Sequence, residues 1–366
     1  MYETSGASKS MGKILRNLRL KKDLRILITR TDRIGDVVLS VPLIKILRKN
    51  FPQSYIAFMV RPYTKDLLIG NPYLNEVLIY DKYGEHKSFR GSLRFLRELK
   101  KRKFDLALIL HPTNRCHLLC FFAKIPVRIG YDIKMGFLNN IKIPHLKHLG
   151  LKHELEYNLD FLKVLGIEYK KEEIEFYLPI KRESEERIEN LFKELGIKEK
   201  DLIICINPTA SCPSKIWRPQ KFKELIELLI ENLKAKVILI GSKDRIDICE
   251  FIEKNIKYKI INLCGMLSLA DLISLLKRIT VFVSCDSGPV HIANALGKKC
   301  VVIFGRNQPG LGPKRWAPFG EGHKILHKDV GCKECLAHNC KKRFLCLESI
   351  TVDEVFKALL EILPTK

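Results

Sequence analysis

The sequence predicts an α/β protein of two units, each a parallel sheet covered by helices. Three observations predict it. Short apolar runs alternate with helical periods from Arg25 onward, the alternation restarts near Lys181 after the charged stretch KRESEERIENLFKEL, and residues able to carry chemistry gather where apolar runs end. At 366 residues the chain is too long for one ordinary domain and long enough for two with cores of their own.

The first series reads RILITR, SYIAFMV, EVLIY and DLALIL as strands, with helices over 37–49 and near 88–102. Pro42 inside the first helical pattern predicts a kink or a short opening segment. The second series reads DLIICI, AKVILIG, KIINL, TVFVSC and KCVVIF, and an amphipathic helix closes the chain over 352–363. Two Rossmann-like domains facing across a cleft follow, with ligands beyond the carboxyl ends of the strands. The expected boundaries are a basic segment over 1–24, a first domain over 25–180, a second over 181–350 and a last helix over 351–366.

Hydrophobic residues at 46% and charged residues at 29% exclude a disordered chain. Sixty-five Lys and Arg against 41 Asp and Glu leave +24, which implies a polyanionic neighbour: nucleic acid, an anionic membrane face or an acidic glycolipid. The cations are spread over both halves and no recognition-helix or base-stacking motif appears, which weighs against nucleic acid. No apolar run is long enough to cross a bilayer and the N-terminus lacks the apolar core of a secretory signal, so a cytoplasmic protein is expected. In MGKILRNLRLKKDL, Met11, Ile14, Leu15 and Leu18 share a helical face among basic residues. That segment reads equally as a docking helix for an anionic membrane or as a leader packed on the body.

Of twelve cysteines, Cys205, Cys264, Cys285 and Cys300 fall inside apolar runs and read as core thiols. Cys332, Cys335, Cys340 and Cys346 form C-x2-C-x4-C-x5-C near the chain end. In a reducing compartment this spacing reads first as structural zinc, then as reduced or partly oxidised thiols, and last as an iron–sulfur ligand set.

Three loops suit anion chemistry. After RILITR, Gly35 permits a tight turn and Asp36 opens a helix, either as a functional carboxylate or as its cap. After DLIICI, the loop NPTASCPSKIWRP offers Thr209 and Ser211 hydroxyls and the Lys215 ammonium, a set that suits the oxygens of a diphosphate. After TVFVS, Asp286, Ser287 and Gly288 precede Pro289 at a helix start, with His291 half a turn on. Asp244 is placed to accept from a ribose hydroxyl or to cap a helix, and Met266 with Leu267 to flank an adenine.

Taken in order, RTDRIGDVVLSVPLIKILRKNFP, PTASCPSKIWRPQKFKELIELL, GMLSLADLISLLKRITVFVSCDSGPVHIANALGKKCVVIFG and NQPGLGPKRWAPFG resemble the ADP-heptose:lipopolysaccharide heptosyltransferases, glycosyltransferase family 9. The resemblance implies the GT-B fold, with an N-terminal acceptor domain, a C-terminal nucleotide-sugar domain and a last helix crossing back to the first. It implies Asp36 as general base within Arg33-Ile34-Gly35-Asp36, Lys215 on the phosphates with Thr209 and Ser211 nearby, and Asp286, Ser287, Gly288 and His291 cradling diphosphate and sugar. It further implies inversion in one displacement without a catalytic metal, and a peripheral enzyme at the inner face of the inner membrane. Its partners would be ADP-heptose or a related nucleotide sugar and a lipopolysaccharide core acceptor. The rivals are a GT-B enzyme with another nucleotide sugar, a nucleotide-sugar epimerase, and a basic nucleic-acid-binding protein.

Overall fold

The computed structural model of the chain describes Gly12, Leu18, Lys21 and residues 23–364. The amphipathic segment expected over 1–24 lies for the most part outside the described residues. The chain divides into two compact units, one reaching to Leu146 and resuming over Leu155–Pro179, the other made of Lys147–Glu154 and everything from Ile180.

The first unit carries β1 (Arg25–Thr29), β2 (Tyr55–Val60), β3 (Glu76–Ile79), β4 (Leu106–Ile109), β5 (Val127–Tyr131) and β6 (Ile141–Ile143) in the order β3-β2-β1-β4-β5-β6. Every pairing is parallel, with Ile26 of β1 opposite Ile56 of β2 and Leu106 of β4. A parallel sheet covered on both faces selects continuous apolar runs, and β4 is buried at all its residues. The sequence reading missed β5 and β6, because VRIGY and IKI are short and interrupted by charge. Pro42 behaves as expected: a short helix Ile34–Val38 ends, and a second, Val41–Asn50, begins with proline in its first turn.

The second unit repeats the pattern with β7 (Ile203–Asn207), β8 (Lys236–Leu239), β9 (Ile261–Asn262), β10 (Val281–Cys285), β11 (Lys299–Phe304) and β12 (Lys324–His327), ordered β12-β11-β10-β7-β8-β9 and all parallel. Both sheets therefore have one doubly wound order, in which direction reverses between β1 and β4 and between β7 and β10. Loops leaving those neighbouring strands part there and leave a crevice.

The last helix, Val352–Leu360, packs within the second unit: Val355 and Leu359 are fully buried in its core, with Trp217, Phe222 and Leu225. Its apolar stripe is satisfied there, and Thr351 with Glu354 closes its start as a capping box. One expected boundary needs correction: the first unit is not continuous to residue 180, since Lys147–Glu154 groups with the second. Glu154, fully buried, holds Lys147 Nζ at 2.6 Å and Arg315 Nη2 at 2.6 Å, so an uncompensated carboxylate would result if the segment packed elsewhere. Gly150 and Gly310 fit backbone to backbone: a Cβ on Gly150 would stand 2.5 Å from Gly310 N. The charged stretch at 181–195 is also no loose connector. It forms the helix Arg182–Glu194, buries Ile188 and Phe192, and pairs Arg187 with Asp271 at 2.6 Å.

Candidate active site

In the first unit the carboxyl end of β1 delivers Arg30, which is almost wholly buried. Its guanidinium donates to Asp36 Oδ1 at 2.5 Å, to Asn158 Oδ1 at 3.1 Å and to Leu110 O at 3.2 Å, and lies 3.0 Å from Asp32 Oδ1. Asn158 in turn donates to Leu39 O at 3.0 Å. A buried guanidinium needs such partners, and two carboxylates supply them. Asp36 is thereby fixed in the first turn of Ile34–Val38. Gly35 is buried beside it, whereas Arg33 precedes the helix in extended backbone and is exposed. Thr31 Oγ1 meets His111 Nδ1 at 3.2 Å, which brings the ends of β1 and β4 together at the switch point.

Sequence reasoning singled out Asp36, Gly35 and Arg33 but missed Arg30. The signal was available, since an arginine at the end of an apolar strand and six residues before the carboxylate needs a buried counter-charge.

In the second unit the loops after β7 and β10 meet. Lys215 Nζ lies 2.6 Å from Asp286 Oδ2, so Asp286 aims the ammonium at the helix start beside it. Asn207 Nδ2 donates to Ser287 Oγ at 3.0 Å, and Ser284 Oγ meets Ser287 Oγ at 2.9 Å. Ser287 stands at the N-cap of Gly288–Ala295 with Pro289 in the first turn, and its hydroxyl makes no cap bond to that helix. The first amides of the helix are left for another acceptor. His291 is 3% exposed, and its Nδ1 has no hydrogen-bond partner among the described residues. Desolvation, and then the charges of His153 and Lys215, lower its pKa to about 3, so the ring is neutral near pH 7.

Thr209 and Ser211 part company. Both the amide and the hydroxyl of Thr209 donate to Asn207 Oδ1, at 3.1 and 2.7 Å, so this buried residue shapes the loop, while Ser211 is exposed. Beneath them Arg306, in a left-handed conformation, donates to Ser214 Oγ at 3.0 Å and Cys212 Sγ at 2.6 Å. It was not foreseen from sequence, although it directly follows the strand KCVVIF and a glycine.

The loops after β8 and β9 also adjoin. Gly265 N donates to Gly241 O at 3.0 Å and Cys264 Sγ approaches Ser242 O at 3.7 Å, so Lys243–Arg245, which contains Asp244, sits beside Met266 and Leu267. Met266 is 71% exposed, an apolar side chain open to a flat ligand. A Cβ on Gly241 would stand 2.7 Å from Cys264 Sγ and 2.9 Å from Thr209 Cγ2, which ties this group to the β7 loop. Lys215, Asp286, Ser287, Gly288 and His291 thus form one group, and Asp244, Met266 and Leu267 another at the same edge.

Cys332, Cys335, Cys340 and Cys346 line a single pocket of about 320 Å³. Among the described residues no three His, Cys, Asp or Glu come close enough to hold a metal ion, so the thiols share a cavity without forming a closed ligand set.

A family model described as glycosyltransferase family 9 (heptosyltransferase) matches residues 92–345. Lipopolysaccharide heptosyltransferase 3 of Escherichia coli is 25% identical over 338 residues, 90% of this chain and 95% of its own length. Among solved structures, a glycosyl transferase family 9 protein from Veillonella parvula superposes with a TM-score of 0.83 at 22% identity, covering 93% of this chain and 98% of its own. The ADP-heptose lipopolysaccharide heptosyltransferase II of E. coli does so with 0.75 at 21% identity, over 93% and 98%. The two parallel-sheet units are those of the GT-B fold. With the family model spanning more than half its length, the chain belongs to glycosyltransferase family 9, the heptosyltransferase family, and is a transferase.

Proposed function

We infer that the protein moves a heptose from ADP-heptose onto the Kdo or heptose of the lipopolysaccharide inner core, inverting the anomeric carbon, as a peripheral enzyme at the cytoplasmic face of the inner membrane. One observation carries the donor half of this reading: a buried His291 with an unpartnered Nδ1 stands in the first turn of a helix whose entry holds the Lys215–Asp286 pair. Helix amides, an ammonium and an uncharged imidazole make a cradle for the oxygens of a diphosphate and its sugar. The exposed Met266 and the adjoining Asp244 loop suit an adenosine.

In the acceptor half, Asp36 takes the proton of the attacking hydroxyl, with Arg30 holding its other oxygen in place. The alcohol oxygen bonds to the anomeric carbon as the bond to the diphosphate breaks, and the negative charge that develops on the leaving group falls to Lys215 and the helix start. Protein cations and amides serve the leaving group in this scheme, with no role for a metal. Incubation with a panel of nucleotide sugars and truncated core acceptors tests it. Turnover confined to ADP-heptose with a Kdo- or heptose-terminated acceptor supports the reading, and transfer from another sugar nucleotide alone overturns it.

The cysteine segment is proposed as a structural zinc site that closes when its thiols draw together around their shared pocket. Elemental analysis of purified protein tests this, and less than about a tenth of an equivalent of metal discards it.

A further inference from the structure

The loop after β3 is rigidly built, yet it presents bare aromatic rings. Asp81 Oδ1 accepts from the amides of Tyr83 and Gly84, at 3.2 and 2.9 Å. Buried His86 stacks on Tyr80 with centroids 5.4 Å apart, and Arg115 donates to His86 O at 3.2 Å and Lys82 O at 3.4 Å. Ser88 Oγ then caps the helix Phe89–Lys101 by accepting from Gly91 N at 3.1 Å. On this base Tyr83 is 65% and Phe89 83% exposed, beside Tyr63 at 42%. An ordered turn that holds large rings in water gains nothing by it within the unit.

Cations surround the rings. Arg61 lies 4.5 Å from the Tyr63 ring and 4.7 Å from the Tyr83 ring, with Lys82 Nζ 5.2 Å from the latter. From 82 to 97, Lys82, Lys87, Arg90, Arg94 and Arg97 stand against Glu85 alone, and Arg94 already pairs with Glu85 at 2.5 Å. The patch adjoins the loop of Asp36, since Tyr63 OH donates to Asp32 O at 2.6 Å and Lys82 Nζ to Thr31 O at 3.3 Å.

We propose that this aromatic and basic patch docks the first unit on an anionic bilayer, with Tyr83 and Phe89 entering the headgroup layer and Arg61, Lys87 and Arg90 meeting lipid phosphates. Amphipathic rings and flanking cations are the side chains that a membrane interface rewards. A second copy of the chain is the poorer occupant, because a twofold contact would set this positive face against itself. The proposal rests on the reading of a lipid-linked acceptor, and it gives that acceptor a reason to meet Asp36: the docked surface borders the Asp36 loop.

Flotation of the full chain with vesicles free of glycolipid and of donor tests it. The chain should bind vesicles of phosphatidylglycerol with phosphatidylethanolamine, release with added salt, and ignore pure phosphatidylcholine. Tyr83→Ser with Phe89→Ser, and separately Lys87→Glu with Arg90→Glu, should each lower anionic-vesicle partitioning about tenfold or more. ADP binding and turnover of a water-soluble acceptor should be kept. Wild-type partitioning by both double variants, with unfolding midpoints unchanged, overturns the docking surface. A failure of ADP-heptose turnover with docking intact instead overturns the functional reading alone. A change in oligomeric state of either variant without vesicles assigns the face to a second copy and also overturns the proposal.

Discussion

Arg30 Nη2 stands 2.5 Å from Asp36 Oδ1, so the carboxylate at the head of the first helix is held by a cation that water barely reaches. The guanidinium fixes one oxygen of the carboxylate. Asp36→Asn should preserve the shape while removing proton acceptance. Turnover should fall by about 10² to 10⁴ with ADP affinity nearly unchanged by calorimetry, and full activity in the variant would remove Asp36 from the mechanism.

Arg30→Met should act mainly on stability. Asp36 and Asp32 would lose their shared counter-charge while Asn158 Oδ1 and Leu110 O lost a donor, and breaking a buried ion pair costs about 3–5 kcal/mol. Chemical denaturation should show that loss, with Arg30→Lys recovering part of it. A midpoint unchanged in Arg30→Met would show that the guanidinium is dispensable.

Lys215→Met should weaken ADP binding about ten- to a hundredfold and AMP binding much less, because the ammonium's gain lies with the diphosphate oxygens. Equal losses for the two nucleotides in calorimetry would place Lys215 away from the phosphates.

His291 gives a pH dependence of known sign. Its folded pKa is about 3 against 6.5 for the ordinary group, so the unfolded chain binds a proton that the folded chain refuses. Its contribution to stability is whole above pH 6.5 and is lost progressively as the pH falls from there toward 3. His323, lowered to about 4 chiefly by burial, slopes the same way. In His291→Gln the midpoint should therefore decline less steeply between pH 7 and 4 than in the parent, though still decline. Parallel curves would contradict the buried neutral ring.

Gly241→Ala should loosen the nucleoside end of the site. Its methyl would press on Cys264 Sγ and Thr209 Cγ2, and Thr209 is locked to Asn207. A destabilisation of about 1–3 kcal/mol with weaker ADP binding is expected, and a variant of parental stability and affinity would show that the loops yield freely.

Much of this was legible in the chain. Central strands such as IICIN and VFVSC announce themselves because a strand buried on both faces is apolar throughout. Asp36, Lys215, Asp286 and His291 were singled out because strand ends at a switch point are where doubly wound sheets place ligands. The strands β5, β6 and β12 were missed, since VRIGY, IKI and KILH are short and mix charge with apolar residues. Arg30, Arg306 and the Glu154 cluster were missed for another reason. Their partners lie up to 168 positions away, as for Arg315 with Lys147, and no local pattern encodes such a meeting.

The eight residues from Lys147 to Glu154 bear on how this molecule can be divided. A fragment starting at Ile180 would leave Arg315 without the stretch that completes its surroundings, and a fragment ending at Pro179 would carry Glu154 with no guanidinium to meet it. Dissection at the apparent linker therefore yields two damaged pieces. Autonomous halves require this octapeptide to be grafted onto the later one and replaced by a polar bridge in the earlier.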